Sequence, residues 1–213
     1  MPPLTEANAL IRARNVTASE VAALMPGGHP YTTPEAIYDR LTIGKAMTSS
    51  QAMRIGSFME SSVLRFAEEE FGFRARANAK TYAHPRIPLC ATPDAFALSP
   101  MPWALVPERA LVEVKMSGRE ELWREVPPYI EWQCRAQLAV MRRDVVYIVV
   151  LAAMRLLSFA VHRERDKEAQ LLAAVQRFWI DHYVAGVRPE PTVSAPSMPF
   201  SFDAETPKRG HAA

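Results

Sequence analysis

The run VVYIVVLAA at residues 145–153 is nine consecutive apolar residues, most of them β-branched. Side chains of a strand alternate between two faces, so a run this apolar can only be stable as a strand buried on both sides. The chain must therefore build a sheet with cover above and below. The next segment, LLSFAVH at residues 156–162, has the alternation of a neighbouring strand. Cover comes from two flanking helical patterns. One spans about Tyr129 to Met141; the other spans about Lys167 to Ala185, carries Leu171, Leu172, Val175, Phe178 and Trp179, and stops at Gly186.

Upstream, Thr17 with Glu20 three residues on forms a capping-box pattern, which predicts a short helix through ASEVAALM until Pro26, Gly27 and Gly28 break it. Thr33 as N-cap, Pro34 at the first helical position and Gly44 as stop predict a second helix, with Ile37 and Leu41 on one face. From Met53 to Phe71, apolar residues at helical spacing (Ile55, Met59, Val63, Phe66, Ala67) predict a third, closed by Gly72. Three strand-like runs follow: a weak one near Thr81 to Ala83, then LCATPDAFAL, then ALVEVKM.

The expected fold class is mixed α/β (α+β), a mixed β-sheet flanked by helices. A single domain is expected over residues 1–188, with a helical layer at 11–52 and a core at 53–188. Residues 189–213, rich in proline and serine without periodicity, read as a poorly ordered tail. With 213 residues, 49% hydrophobic and 23% charged, the chain suits one folded domain.

Several function classes are disfavoured. The apolar runs are too short to cross a bilayer, and the opening MPPLTEANALIRARN lacks the pattern of a secretory signal, so a soluble cytoplasmic protein without membrane attachment is expected. Cys90 and Cys134 have no companion at metal-ligand or redox spacing, which leaves them as buried free thiols and cannot supply an iron–sulfur cluster. The formal net charge is only +2, so any affinity for phosphate must come from a local surface. The five histidines offer no pair at ligand spacing.

Chemistry concentrates around ALVEVKM. Strand alternation puts Glu113 and Lys115 on one face and Val112, Val114 and Met116 on the other. A glutamate and a lysine on an amphipathic strand are commonplace, so the pair needs a third partner. Asp94 in TPDAF precedes Glu113 by 19 residues, and a hairpin-like pairing would bring the two carboxylates together. Such a pair raises the pKa of its members and is relieved by a hard cation, Mg²⁺ or Mn²⁺, in one or two copies. Lys115 would orient an attacking water or stabilise charge on a phosphate. Glu60, one turn after Gly56 on the third helix, is a further ligand or a water holder; its plainer reading is a solvated helix residue.

Asp94 followed by Glu113-Val114-Lys115, with Pro93 in place, resembles the PD-(D/E)xK nuclease signature. The segments VTASEVAALM, PYTTPEAIYDRLTIGK, MRIGSFMESSVLRF, ATPDAF, LVEVKMS and LWREVPPYIEWQCRAQLAV, in that order, resemble the lambda-exonuclease, YqaJ-type viral recombinases. That resemblance implies a restriction-endonuclease-like core. It implies Asp94 and Glu113 as metal ligands, the Val114 carbonyl completing the coordination, Lys115 as catalytic lysine and Glu60 as helix carboxylate. Gln133 matches the family's helix glutamine. Where relatives often carry a second glutamine two positions later, this chain has Arg135.

Arg12 and Ser19 match positions that receive a terminal 5′-phosphate. A guanidinium offers a forked donor and a helix start offers free N–H groups; Arg14 is an alternative to Arg12, and Arg135 a further DNA contact. The implied activity is metal-dependent 5′-to-3′ digestion of double-stranded DNA ends, leaving 3′ single strands for recombination. A ring trimer and a single-strand-annealing partner are implied with it. Two alternatives stay open on the residues alone: an endonuclease or other end-resecting nuclease of the same fold, and a DNA-binding subunit that cuts nothing.

Overall fold

A computed structural model describes residues 5–44, 50–99 and 109–191. In chain order the elements are α1 (Glu6–Ala13), β1 (Val16–Thr17), a 3₁₀ turn (Val21–Leu24), α2 (Pro34–Ile43), α3 (Gln51–Phe71), β2 (Ala75–Ala77), β3 (Tyr82–Ala83), β4 (Leu89–Ala91) and β5 (Ala95–Ala97). There follow β6 (Ala110–Ser117), α4 (Pro128–Met141), β7 (Val145–Ala152), β8 (Arg155–His162), α5 (Arg165–Phe178) and a π-helical extension (Trp179–Val184).

The apolar run is β7, and it is buried as its composition requires. It lies in a five-stranded sheet of order β2-β5-β6-β7-β8, parallel to β6 and antiparallel to β8. One face packs on α3, with Val63, Leu64 and Ala67 against Val112, Val114, Tyr147 and Val149. The other packs on α4, with Ile130, Cys134 and Leu138 against Leu111, Val146, Ile148 and Val150. The mixed sheet flanked by helices is thus present, and both cysteines are buried and free.

Helix ends follow the residues that specify them. The Thr33 hydroxyl accepts from Ala36 N (3.3 Å), Pro34 opens α2, and Gly44 takes the left-handed conformation (φ 68°) that closes it. Ser50 caps α3 in the same way, and Gly72 (φ 65°) ends it.

Three expected elements are corrected and two further elements carry no signal in the sequence. The helix predicted through ASEVAALM is only the 3₁₀ turn, because Val16–Ala18 is held in a parallel ladder: Val16 N donates to Pro88 O and Ala18 N to Cys90 O. Glu20 does reach back to the Thr17 N–H (2.9 Å), but the Thr17 hydroxyl donates to the Glu20 carboxylate instead of capping a helix. Helix α1 was not anticipated; Asn8, buried in it, ties it to the β2–β3 connection through Ala79 O and Thr81 N. Strand β2, paired with β5, also carried no alternating signal of its own. LCATPDAFAL divides at Thr92–Asp94 into β4 and β5, which belong to different sheets, β1-β4-β3 and the main one. Finally, α5 ends at Phe178 and the predicted remainder is π-helical. Arg188, the last residue of the expected core, is fixed to Asp39 on α2 (2.8 and 3.0 Å); of the expected tail, Pro189 is buried, while residues 192–213 lie outside the described residues.

Candidate active site at the end of the β5–β6 pairing

Strands β5 and β6 pair as Ala95↔Val112 and Phe96↔Leu111, so Asp94 arrives opposite Glu113 just where the ladder stops. There the Asp94 carboxylate replaces the missing strand: its Oδ2 accepts from Val114 N at 2.7 Å. In an extended strand the N–H and C=O of one residue face the same side, so the Val114 carbonyl is turned toward this same open edge.

Glu113 and Lys115 both face α4, as alternation predicts, while Val112 and Val114 enter the α3-side core. Met116, expected to anchor the strand, is 37% exposed because β6 is leaving the core there. Glu113 is 3% exposed and fully engaged. Its Oε1 accepts from Lys115 Nζ (2.7 Å) and from Gln133 Nε2, and its Oε2 accepts from Gln137 Nε2 (2.6 Å). Lys115 Nζ also donates to Gln133 Oε1 at 3.1 Å. One amide thus bridges the acid and the base.

Gln137 is the residue that sequence reasoning missed. It lies four positions after Gln133, one helical turn on, and so shares its face toward Glu113, whereas Arg135 two positions on cannot. That i, i+4 spacing was the available signal. Gln137 is 1% exposed, and its Oε1 has no hydrogen-bond partner. Arg135 is instead paired with Glu131 on its own helix and with Glu164 ahead of α5, both at 2.6 Å. The structure therefore places it in a helix-to-helix ion cluster and not beside the carboxylates.

The electrostatics are those of a site short of positive charge. Burial raises the Asp94 carboxyl well above its usual range, and Glu113 and Glu60 push it the same way; Lys115 and the Val114 N–H only partly oppose them. Glu60 is half-buried on α3, and its carboxyl is raised first by burial and further by Glu113. Burial alone would lower the Lys115 ammonium, yet Glu113, Asp94 and the hydrogen bond to Glu113 outweigh it and hold the lysine firmly charged. Among the described residues no three His, Cys, Asp or Glu side chains form a metal-holding cluster. Asp94 and Glu113 are the carboxylates that could hold an ion, with the Val114 carbonyl beside them. Two close carboxylates, a free carbonyl edge and a raised acid form a hard oxygen set that fits Mg²⁺ or Mn²⁺.

Arg12 and Ser19 are brought to the same place. A cavity of ≈ 30 Å³ is lined by Arg12, Thr17, Ala18, Ser19, Thr92, Gln133 and Gln137, so its floor is made by the two glutamines that hold Glu113. Arg40 braces the Arg12 backbone from outside the lining, donating to Arg12 O (2.6 Å), to Asn15 O (2.9 Å) and to both Glu20 oxygens (2.6 and 2.7 Å). Ser19 lies in a turn before the 3₁₀ segment, so its hydroxyl, 3.1 Å from that of Thr17, is what it contributes, and not a helix start. Arg14 is exposed and does not line the cavity.

This architecture, a mixed sheet between helices with an acid-rich fork at the β5–β6 edge, has the fold of alkaline exonucleases. The similar structures include an alkaline exonuclease (LHK-Exo) from Laribacter hongkongensis, with TM-score 0.66, 19% identity, and 85% of this chain and 94% of that one covered. The same enzyme in complex with dAMP matches with TM-score 0.68. A phage-related exonuclease from Haemophilus somnus 129PT matches with TM-score 0.60 and 12% identity, over 81% of this chain and 96% of that one. The YqaJ-like viral recombinase domain model matches residues 9–144, and the chain belongs to that family. No curated protein matches it. Among the described residues no helix is long and apolar enough to cross a membrane.

Proposed function

We propose that the protein is a metal-dependent DNA exonuclease acting on double-stranded ends, with 5′-to-3′ polarity, producing 3′ single strands for recombination. The observation that carries this reading is the meeting of Asp94, Glu113, Lys115 and Gln133 at the end of the β5–β6 pairing, in a member of the YqaJ-like family. The structural neighbours described as exonucleases support it.

Asp94, Glu113 and the Val114 carbonyl would hold Mg²⁺ or Mn²⁺, which when bound supplies charge to the phosphate oxygens and acidifies a water. The chain's own groups do the rest. In the metal-free chain Lys115 is held charged, which suits it as a donor that orients the nucleophile and stabilises charge developing on the phosphate oxygens. Gln133 fixes the lysine and Glu113 relative to each other. Gln137 holds the far oxygen of Glu113. Glu60, from the helix across the site, adds negative potential that favours a second cation or a positioned water.

Arg12 and Ser19 are the donors proposed for the terminal 5′-phosphate, because the cavity they line ends on the glutamines of the cutting site. A homotrimeric ring around DNA and a single-strand-annealing partner belong to the same proposal on family grounds.

The test is digestion of a linear duplex labelled at either end beside a closed circle, with Mg²⁺, Mn²⁺ or chelator. Metal-dependent release from 5′ ends with circles intact supports the reading; nicking of circles, or cutting in chelator, rejects it. Arg12→Ala should slow digestion about tenfold on 5′-phosphorylated ends and little on 5′-hydroxyl ends. Equal loss on both would remove Arg12 from that role.

A further inference from the structure

The loop entering α2 brings His29 and Tyr31 against Tyr129 at the start of α4, forming a three-ring cluster. Ring centroids are 5.9 Å apart for His29–Tyr31, 5.2 Å for His29–Tyr129 and 6.2 Å for Tyr31–Tyr129, with interplanar angles of 71°, 72° and 90°. These are edge-to-face contacts, the favoured geometry for aromatic pairs. The Tyr31 N–H also donates to His29 Nδ1 (3.0 Å), which fixes the imidazole with its other nitrogen as the donor.

Burial within the cluster is uneven. His29 and Tyr129 are half-buried, but Tyr31 is 71% exposed. A ring that serves packing hides its faces; this one is held by two other rings and a main-chain hydrogen bond while most of its surface meets solvent. The cluster also adjoins the proposed cutting site: Tyr129 lies one helical turn before Gln133 on α4, and the Gln133 Oε1 accepts from Lys115 Nζ. Burial lowers the His29 pKa to about 4, so the imidazole stays uncharged at neutral pH, and burial raises the Tyr129 phenol. The rings offer π surface and a phenol, and no cation for a phosphate.

A flat, uncharged, oriented aromatic surface beside a phosphate-cutting centre matches one component of a polynucleotide, the face of an unstacked base. We propose that Tyr31, backed by His29 and Tyr129, is a stacking subsite for a nucleobase of the strand presented to Lys115. The base lies next to the phosphate at that lysine and has already left its complement, because a paired base has no free face. Stacking does not read base identity, so the subsite grips every nucleotide alike. This inference rests on the nuclease reading above and adds to it local strand separation.

The test is a cycle between protein and DNA. Binding is measured for the Lys115→Ala chain, with and without Tyr31→Ala, on 5′-phosphorylated duplexes with either normal or abasic nucleotides at the first three positions of the labelled strand. Tyr31→Ala is expected to weaken binding about tenfold on normal DNA, and abasic DNA to bind the Tyr31-containing chain about tenfold more weakly. The two changes together should weaken it no further than either alone, and Tyr31→Trp should restore binding. Effects that multiply, or a Tyr31→Ala chain that binds normal DNA undiminished, overturn the subsite. Wild-type digestion run in parallel separates the two readings: cutting with a multiplicative cycle removes the subsite only, and a wild-type chain that neither binds nor cuts DNA removes both.

Discussion

Two charge clusters flank α4, and each contains two carboxylates and one cation. At the β6 end, Asp94 and Glu113 share Lys115; on the other side, Glu131 and Glu164 share Arg135. Their formal charges are equal, but their surroundings are opposite. Glu131 and Glu164 have side chains 40% and 57% exposed, so water carries the surplus negative charge, and Arg135 lowers the Glu164 carboxyl below its usual value. Glu113 is 3% exposed, and burial drives the half-buried Asp94 upward, so the surplus there has little solvent to relieve it. A charge count cannot tell a structural clasp from a site that wants a metal ion or a proton; burial can.

That contrast can be broken by substitution. Lys115→Ala should lower the cutting rate by about 10³-fold or more in a chain that still folds, as read from end-labelled digestion and circular dichroism. Loss of less than tenfold would show that the buried cluster is only structural. Gln137→Met, which keeps the volume and removes the amide, should lower kcat about 10- to 100-fold with KM for DNA ends little changed, and should weaken Mn²⁺ binding in calorimetry without DNA. A change confined to stability would return Gln137 to the core.

The pH response should also separate the clusters. Asp94 binds its proton more tightly folded than unfolded, so between the usual aspartate pKa and its raised folded value the native state carries more protons. The metal-free protein then loses stability as pH rises through that window, and Mg²⁺ or Mn²⁺ should return it. Melts in chelator across pH, repeated with metal, check this; a metal-free protein that gains stability over the same range contradicts the assignment. The smallest effect is expected from Arg135→Met, a fall in melting temperature of roughly 2–4 °C with kcat unchanged. A large loss of cutting would draw Arg135 into the site after all.

The main sheet was legible because its signals are local. Nine apolar residues specify β7, alternation specifies β6, and Thr33, Pro34 and Gly44 specify α2. The proposed acidic fork was legible for the same reason: alternation fixes the side of Glu113 and Lys115, and a hairpin-like register brings Asp94 to them. What escaped depends on partners distant in sequence. Thr17 and Glu20 spell a helix start, but a parallel ladder to Leu89–Cys90 and an ion pair to Arg40 claim those residues first. Strand β2 exists only because β5 pairs with it, and α1 is fixed through Asn8 to residues 79 and 81. The family resemblance points to the position two residues after Gln133, but a helix turns a side chain back to the same face only after three or four, which is where Gln137 stands.

The cavity wall and the carboxylate support are parts of the same two side chains. Gln133 and Gln137 each touch Glu113 at one point and border the recess of Arg12 and Ser19 at another. In the proposed exonuclease, preference for a kind of DNA terminus and speed of the chemical step would therefore not be separate dials. Enlarging the recess to admit a bulkier terminus will loosen the acid, and tightening the acid will shrink the recess. Variants selected for one property should drift in the other unless a compensating change arises on α4.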